Sequence, residues 1–152
     1  MTWNSITPQQ FVKLVNYWVN QDWPLTEDKL ASAMERLGWD ESDQSTVAKD
    51  IPVNRPMLMV TSSPIAGLNT ISWNLTDVDI VSSSARDAFM NDAFVSYVNA
   101  GKTVWGVPNI VREQEDESAI WASISGLQLS NTRSSVGIFL HSPQFTRVLD
   151  ED

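Results

Sequence analysis

The chain has 152 residues, of which 42% are hydrophobic and 19% charged, and its formal net charge is −9. This length and composition suit a single globular domain over residues 1–152, which buries about two-thirds of the surface of its unfolded chain. The lack of cysteine excludes disulfides and cysteine-based zinc sites, while the acidity and the scattered basic residues argue against nucleic acid and membrane surfaces as partners.

Targeting signals are also missing from the sequence. The N-terminal residues show no basic region followed by an apolar run, and no stretch approaches the roughly 20 apolar residues of a membrane span. We therefore expect a soluble cytoplasmic protein, since a reducing compartment fits a chain without cysteine.

Two helices are predicted at the start of the chain. The first begins at Thr7-Pro8-Gln9-Gln10, which has the pattern of a capping box, and its apolar residues recur at helical spacing as far as Val19. Thr26 is the predicted cap of the second helix. Gly38 can end that helix in a left-handed conformation, which would pack Trp39 back on it.

Strand patterns follow in the middle of the chain. Residues 57–61 form a short apolar run, and residues 68–76 alternate between apolar and polar side chains. One face of this second strand holds Ile71, Trp73 and Leu75, and the other holds Thr70, Ser72, Asn74 and Thr76. This alternation is typical of an antiparallel strand that is covered on one face.

The second half of the chain predicts one helix and a set of strands. The helix is expected over about residues 85–99 with Gly101 as its stop, followed by an extended segment at 102–108. Three further strands are predicted at residues 120–125, 126–130 and 135–141. The order is therefore roughly α-α-β-β-α-β-β-β, which predicts an α+β fold with an antiparallel sheet and helices packed on one face.

Chemistry-bearing motifs are scarce. Patterns for nucleophile elbows, phosphate loops, dinucleotide binding and zinc proteases are all missing, so we predict neither enzymatic activity nor a cofactor. His141 is the single imidazole, and the sequence gives it no orienting partner. Asp77-Val-Asp79 and the acids of residues 40–43 lack the glycine and glutamate of a calcium loop, so no metal site is predicted. An enzyme with an unfamiliar carboxylate site is the third alternative for function.

Strand alternation predicts a candidate binding surface in the C-terminal strands. The expected core residues are Ile120, Ala122, Ile124, Val136, Ile138 and Leu140. Trp121, Phe139 and His141 then lie on the opposite, polar face. Either a loop or the C-terminal segment covers these side chains, or they bind a partner or a second copy of the chain. Trp121→Ala should therefore spare folding more than Trp73→Ala, while weakening whatever the protein binds.

A second candidate surface is acidic. It consists of Glu113, Glu115, Asp116 and Glu117. Such a run of charges is typical of a solvated turn, and the alternative is a recognition patch for a basic partner.

Four segments carry a resemblance to known proteins. Trp105-Gly-Val-Pro108, Ile120-Trp-Ala122 and the stretch from Val136 to Pro143 resemble small uncharacterised actinobacterial immunity-like proteins, as does the opening helix pair that ends at Leu37-Gly-Trp39. The size, acidity and layout are also similar to the secretion-chaperone fold. Neither resemblance implies a catalytic residue.

These observations predict a non-enzymatic protein-binding domain. The leading hypothesis is an immunity-type antitoxin, which occludes the active site of a basic toxin by electrostatic steering and aromatic anchoring. The alternative is a chaperone-like or structural homodimer that binds an extended client segment on an uncovered sheet face or edge.

Overall fold

The computed structural model describes residues 2–42, 45–47, 51–63, 67–124 and 126–142. Within these ranges the helices are α1 (Pro8–Val19), α2 (Glu27–Leu37) and α3 (Ser84–Trp105). The first strands are β1 (Asp40–Ser42), β2 (Ser45–Val47), β3 (Met57–Ser63) and β4 (Gly67–Asn74). The strands after α3 are β5 (Asn109–Glu113), β6 (Asp116–Trp121), β7 (Leu127–Asn131) and β8 (Val136–His141).

The strands form one antiparallel sheet in the order β1-β2-β3-β4-β8-β7-β6-β5. The helices lie on one side of it, and the hydrophobic core fills the space between them and the sheet. The predicted α+β class, with its rough order of elements and its helices on one face, is therefore confirmed. The short strands β1 and β2 and the edge strand β5 were not predicted.

The first two helices begin and end as predicted, because their signals are local. Thr7 Oγ1 accepts a hydrogen bond from the backbone N–H of Gln10, whose side chain in turn accepts from the Thr7 N–H, at 3.1 and 2.8 Å. Gly38 has a φ of 75°, and the Trp39 N–H donates to the Met34 carbonyl at 3.0 Å. Trp39 is thereby held in the core at 3% exposure.

A chain of indole rings connects the helices to the sheet. Trp18 of α1 and Trp39 have ring centroids 5.8 Å apart, and Trp39 and Trp73 of β4 have centroids 6.4 Å apart. All three rings are buried, as the helical spacing and the strand alternation predicted for Trp18 and Trp73. Their indole N–H groups have no hydrogen-bond partner in the described part of the chain.

The third helix is longer than predicted at its C-terminal end. It continues through Gly101 to Trp105 and is capped by Gly106, whose φ is 92°, so the expected stop and the extended segment at 102–108 were wrong. Gly101 instead allows close packing between α3 and the sheet. A Cβ at this position would lie 2.9 Å from Cη2 of Trp121 and closer still to Cζ2. The glycine therefore lets α3 lie directly on the indole ring.

Candidate functional site

The structure corrects the predicted alternation of β6. This strand runs from Asp116 to Trp121 and not over 120–125, since its first residues pair with β5 across the turn Gln114-Glu115. Trp121 therefore faces the helices at 2% exposure, and its indole N–H donates to the Gly106 carbonyl at 2.8 Å. The prediction that Trp121 lies on the polar face is wrong, and a partner cannot reach its ring. Ile120 lies on the polar face instead, and Ala122 is exposed.

The alternation predicted for β8 is confirmed. Val136, Ile138 and Leu140 are fully buried against the helices. Phe139, at 39% exposure, and the half-buried His141 lie on the other side. We call that side of the sheet the open face, because no helix of the described chain packs on it. In the register of the sheet it also holds Met59, Thr70, Ser72, Asn74, Val111, Ser118, Ile120, Gln128 and Ser130.

A groove crosses the open face from β8 to β5. Its volume is about 370 Å³, and its lining residues are Val111, Glu113, Asp116, Ser118, Ile120, Gln128, Ser130, Thr132 and Phe139. Gln128 stands between the two largest apolar side chains, because it pairs with Ile120 on one neighbouring strand and with Phe139 on the other. The groove therefore combines an apolar wall on either side with a polar floor.

Hydrogen bonds fix the polar floor of the groove. The amide nitrogen of Gln128 donates to the hydroxyl oxygens of Ser118 and Ser130, at 3.3 Å each, and the two hydroxyls are 3.2 Å apart. These side chains belong to two paired strands, so their positions follow from the backbone register. The groove thus offers oriented hydroxyls without a charge on the floor.

The groove ends at two acidic residues. Glu113 and Asp116 pair directly across β5 and β6, and both side chains are exposed on the open face. No ion pair involving either carboxylate occurs among the described residues. Like charges directly opposite each other on a sheet are destabilising. The repulsion between these two carboxylates therefore destabilises this end of the hairpin, and a cation bound between them would remove it.

The other two acids of the predicted patch lie elsewhere. Glu117 points to the helix side of the sheet and forms an ion pair with Arg112. Glu115 is exposed in the turn, with a carboxylate oxygen 3.9 Å from a guanidinium nitrogen of Arg133, which lies at the same distance from Asp87. The acidic run is therefore divided: two acids border the groove, and two are engaged by arginines.

His141 lies on the same face as Phe139 but outside the residues that line the groove. Its Nδ1 is 3.0 Å from Oγ1 of Thr70, its pairing residue on β4. Burial lowers the pKa of the imidazole from its usual range. His141 is therefore neutral at pH 7, and the open face has no imidazolium charge that would oppose a basic partner.

The acids considered for metal binding have structural roles. The Asp77 carboxylate accepts hydrogen bonds from the backbone N–H groups of Asn4 and Asn54, both at 2.8 Å. The Asp79 carboxylate accepts from the indole of Trp3 at 2.9 Å, and this hydrogen bond is the largest cause of its lowered pKa. Within the described residues no three His or acidic side chains are grouped as a metal site, and part of the 40–43 motif lies outside those residues.

The sequence patterns identified several site residues but not the site. Glu113, Asp116 and Phe139 were predicted as partner-binding residues, and the structure brings these three together in one groove. Ile120 and Gln128 were missed. Predicting the turn at Gln114-Glu115 would have been enough to identify Ile120. Strand alternation that starts at Asp116 places Ile120 on the same face of the sheet as Asp116.

The fold and the groove define an α+β domain with one covered and one open sheet face. Residues 9–142 match the model of a family of unknown function, DUF6301, and the chain belongs to this family. No curated protein and no solved structure matches it. In the described ranges, none of the helices has both the length and the apolar character needed to cross a bilayer.

Proposed function

We propose that this protein is a non-enzymatic binding domain whose groove holds a basic segment of another protein, as an immunity-type antitoxin holds a basic toxin. The observation that carries the proposal is a single groove on the open face that combines two apolar walls with two acids, neither of which forms an ion pair within the described ranges. A lysine or arginine is suited to such a groove. Its charged end would reach Glu113 and Asp116, while an apolar residue of the same segment would pack on Ile120 and Phe139, because Asp116 lies four residues along β6 from Ile120.

The charge of the whole molecule supports the same partner. A net charge of −9 attracts a basic protein over a distance and accelerates its association at low ionic strength. At contact, a cation between Glu113 and Asp116 would remove their mutual repulsion. In an antitoxin, a groove of this kind would cover the basic site with which the toxin binds its own substrate.

The test compares the affinity of a captured partner protein for the wild type, for a groove variant and for a control variant of equal charge. The tagged chain is used to isolate proteins from its own cells, and the affinity of the purified partner is measured by calorimetry in about 0.05 M and about 0.5 M salt. Glu113→Gln with Asp116→Asn should weaken binding several-fold at low salt. The control is Glu35→Gln with Asp92→Asn, which removes the same charge from exposed helical positions. An acidic partner, or equal affinities for the two variants, contradicts the proposal.

A second candidate is a homodimer of chaperone-like or structural type. It is favoured by one row of the open face, in which Ser72 separates Met59, at 65% exposure, from Phe139, at 39%. Two such rows facing each other would bury four large apolar side chains. Light scattering of the wild type and of Met59→Lys tests this candidate. A dimer that the lysine dissociates favours it, whereas a monomer excludes it.

A further inference from the structure

The geometry points to β5 as a strand-addition site, where an extended basic segment joins the sheet as its next strand. This inference rests on the proposed function and specifies how the partner of the groove is held. The site is the outer side of Asn109–Glu113 together with the groove end at Asp116.

Among the described residues, no strand pairs with the outer edge of β5. β5 is the last strand of the sheet, and four of its five residues are exposed. In the described ranges its backbone forms no hydrogen bonds to any element other than β6. The outward N–H and C=O groups of such an edge form a template for an additional strand.

The usual protection of an edge strand is weak at β5. Proteins discourage pairing at such edges with outward lysines, prolines or bulges. The single basic residue of β5, Arg112, is held by Glu117 of β6. The apolar residues Val107 and Ile110 remain 84% and 43% exposed. The edge therefore presents the exposed apolar side chains of Val107 and Ile110 and ends at the acid Glu113.

The side chains of β5 define which segment fits. Residues of an added strand that lie on the open face would be neighbours of Asn109, Val111 and Glu113. Cross-strand pairing favours an apolar residue opposite Val111 and a basic residue opposite Glu113. The expected segment is thus extended, with an apolar and a basic residue two positions apart.

A second copy of the chain fits this edge poorly. Each copy has a net charge of −9, so two copies repel each other. A ribbon of five residues from each chain also buries far less than the roughly 1,200 Å² of a stable interface. A separate basic segment is attracted by the acids and not repelled, and as part of a larger basic protein it need not bury this whole area at the edge alone.

The test uses a synthetic peptide and the full chain. The probe is the capped peptide threonine-lysine-threonine-valine-threonine-lysine-threonine, whose lysines and valine lie on one face. The control probe has the same side chains but is N-methylated at every amide, which removes its N–H donors and keeps its charge. We expect the control to bind about tenfold more weakly. We also expect the first peptide to slow amide exchange in β5.

Matched variants of the chain locate the peptide. Ile110→Lys places a positive charge on the edge strand, which should discourage pairing and lower the affinity for the peptide about fivefold. Val104→Lys, at an exposed position of α3, should leave the affinity unchanged. Equal binding of both peptides without slower exchange in β5 overturns strand addition. Failure of the first peptide to bind at about 1 mM also overturns it. Slower exchange in β5 that rises with the concentration of the chain alone assigns the edge to a second copy and overturns the basic segment.

The same titrations separate this inference from the proposed function. If Glu113→Gln with Asp116→Asn weakens both peptides equally, the groove binds basic segments without strand addition. If methylation weakens binding but the two substitutions do not, strand addition holds and the acidic groove is not the binding site.

Discussion

The indole ring of Trp121 lies on Gly101, where the third helix crosses the sheet. Glycine inside a helix costs about 1 kcal/mol relative to alanine, yet α3 continues through this position without a break. The close contact explains why glycine is found there. The end of α3 was predicted wrongly because a glycine after an apolar helix face is typical of a helix stop, and the sequence does not show that a tryptophan of β6 packs on it.

Replacing this glycine should destabilise the protein although alanine is the better helix former. In Gly101→Ala the new methyl group would overlap the ring of Trp121, and we expect a loss of about 1–3 kcal/mol in the free energy of unfolding. Urea denaturation measures it. The double variant with Trp121→Leu should lose less than the sum of the two single changes. A stabilised Gly101→Ala would contradict the contact.

The two buried tryptophans of the sheet should respond differently to phenylalanine. The Trp121 indole donates a hydrogen bond to the Gly106 carbonyl, whereas the Trp73 indole N–H is buried and has no partner among the described residues. Trp121→Phe breaks a bond, while Trp73→Phe removes an unsatisfied donor. We expect Trp121→Phe to cost about 1 kcal/mol more in urea denaturation. The opposite order would show that ring volume alone decides the cost.

Phe139 should matter for binding more than for folding. Trp121→Ala is expected to cost about 3–5 kcal/mol, comparable to Trp73→Ala, because both rings are buried in the core. Phe139→Ala should cost less than about 1.5 kcal/mol, since the ring is 39% exposed. Thermal unfolding distinguishes the three variants. A severe loss of stability in Phe139→Ala would mean that its ring is covered in the folded chain.

The opposed acids of the groove predict a gain in stability when one charge is removed. Glu113→Gln should stabilise the protein by about 0.2–1 kcal/mol by relieving the repulsion from Asp116. The gain should shrink as salt is added. Glu117→Gln is the matched control on the same hairpin and should bring no gain, because it breaks the ion pair with Arg112. Equal effects of the two substitutions in chemical denaturation would refute the repulsion.

Features that depend on interactions between residues close in the chain could be predicted from the sequence, and features that depend on distant strand pairing could not. The caps at Thr7 and Gly38 act within a few residues, so the first two helices were predicted correctly. The start of β6 was missed because Asp116 and Glu117 resemble a solvated turn until their pairing with β5 is known. The groove could not be predicted, because Phe139 and Glu113 line it together only through a strand order that places β8, β7, β6 and β5 side by side.

The lowered pKa of His141 predicts that the protein loses stability in mild acid. Burial lowers the pKa of its imidazole below the unfolded value of about 6.5, so the unfolded chain binds a proton more readily than the folded one. The neutral imidazole therefore contributes its full stabilisation at pH values above the unfolded pKa. This stabilisation is lost as the pH falls from the unfolded pKa through the folded pKa. His141→Asn, whose amide can still pair with Thr70, should lose less stability between about pH 7 and pH 5 than the wild type in urea denaturation. Identical pH profiles would mean that His141 is as well solvated in the folded chain as in the unfolded one.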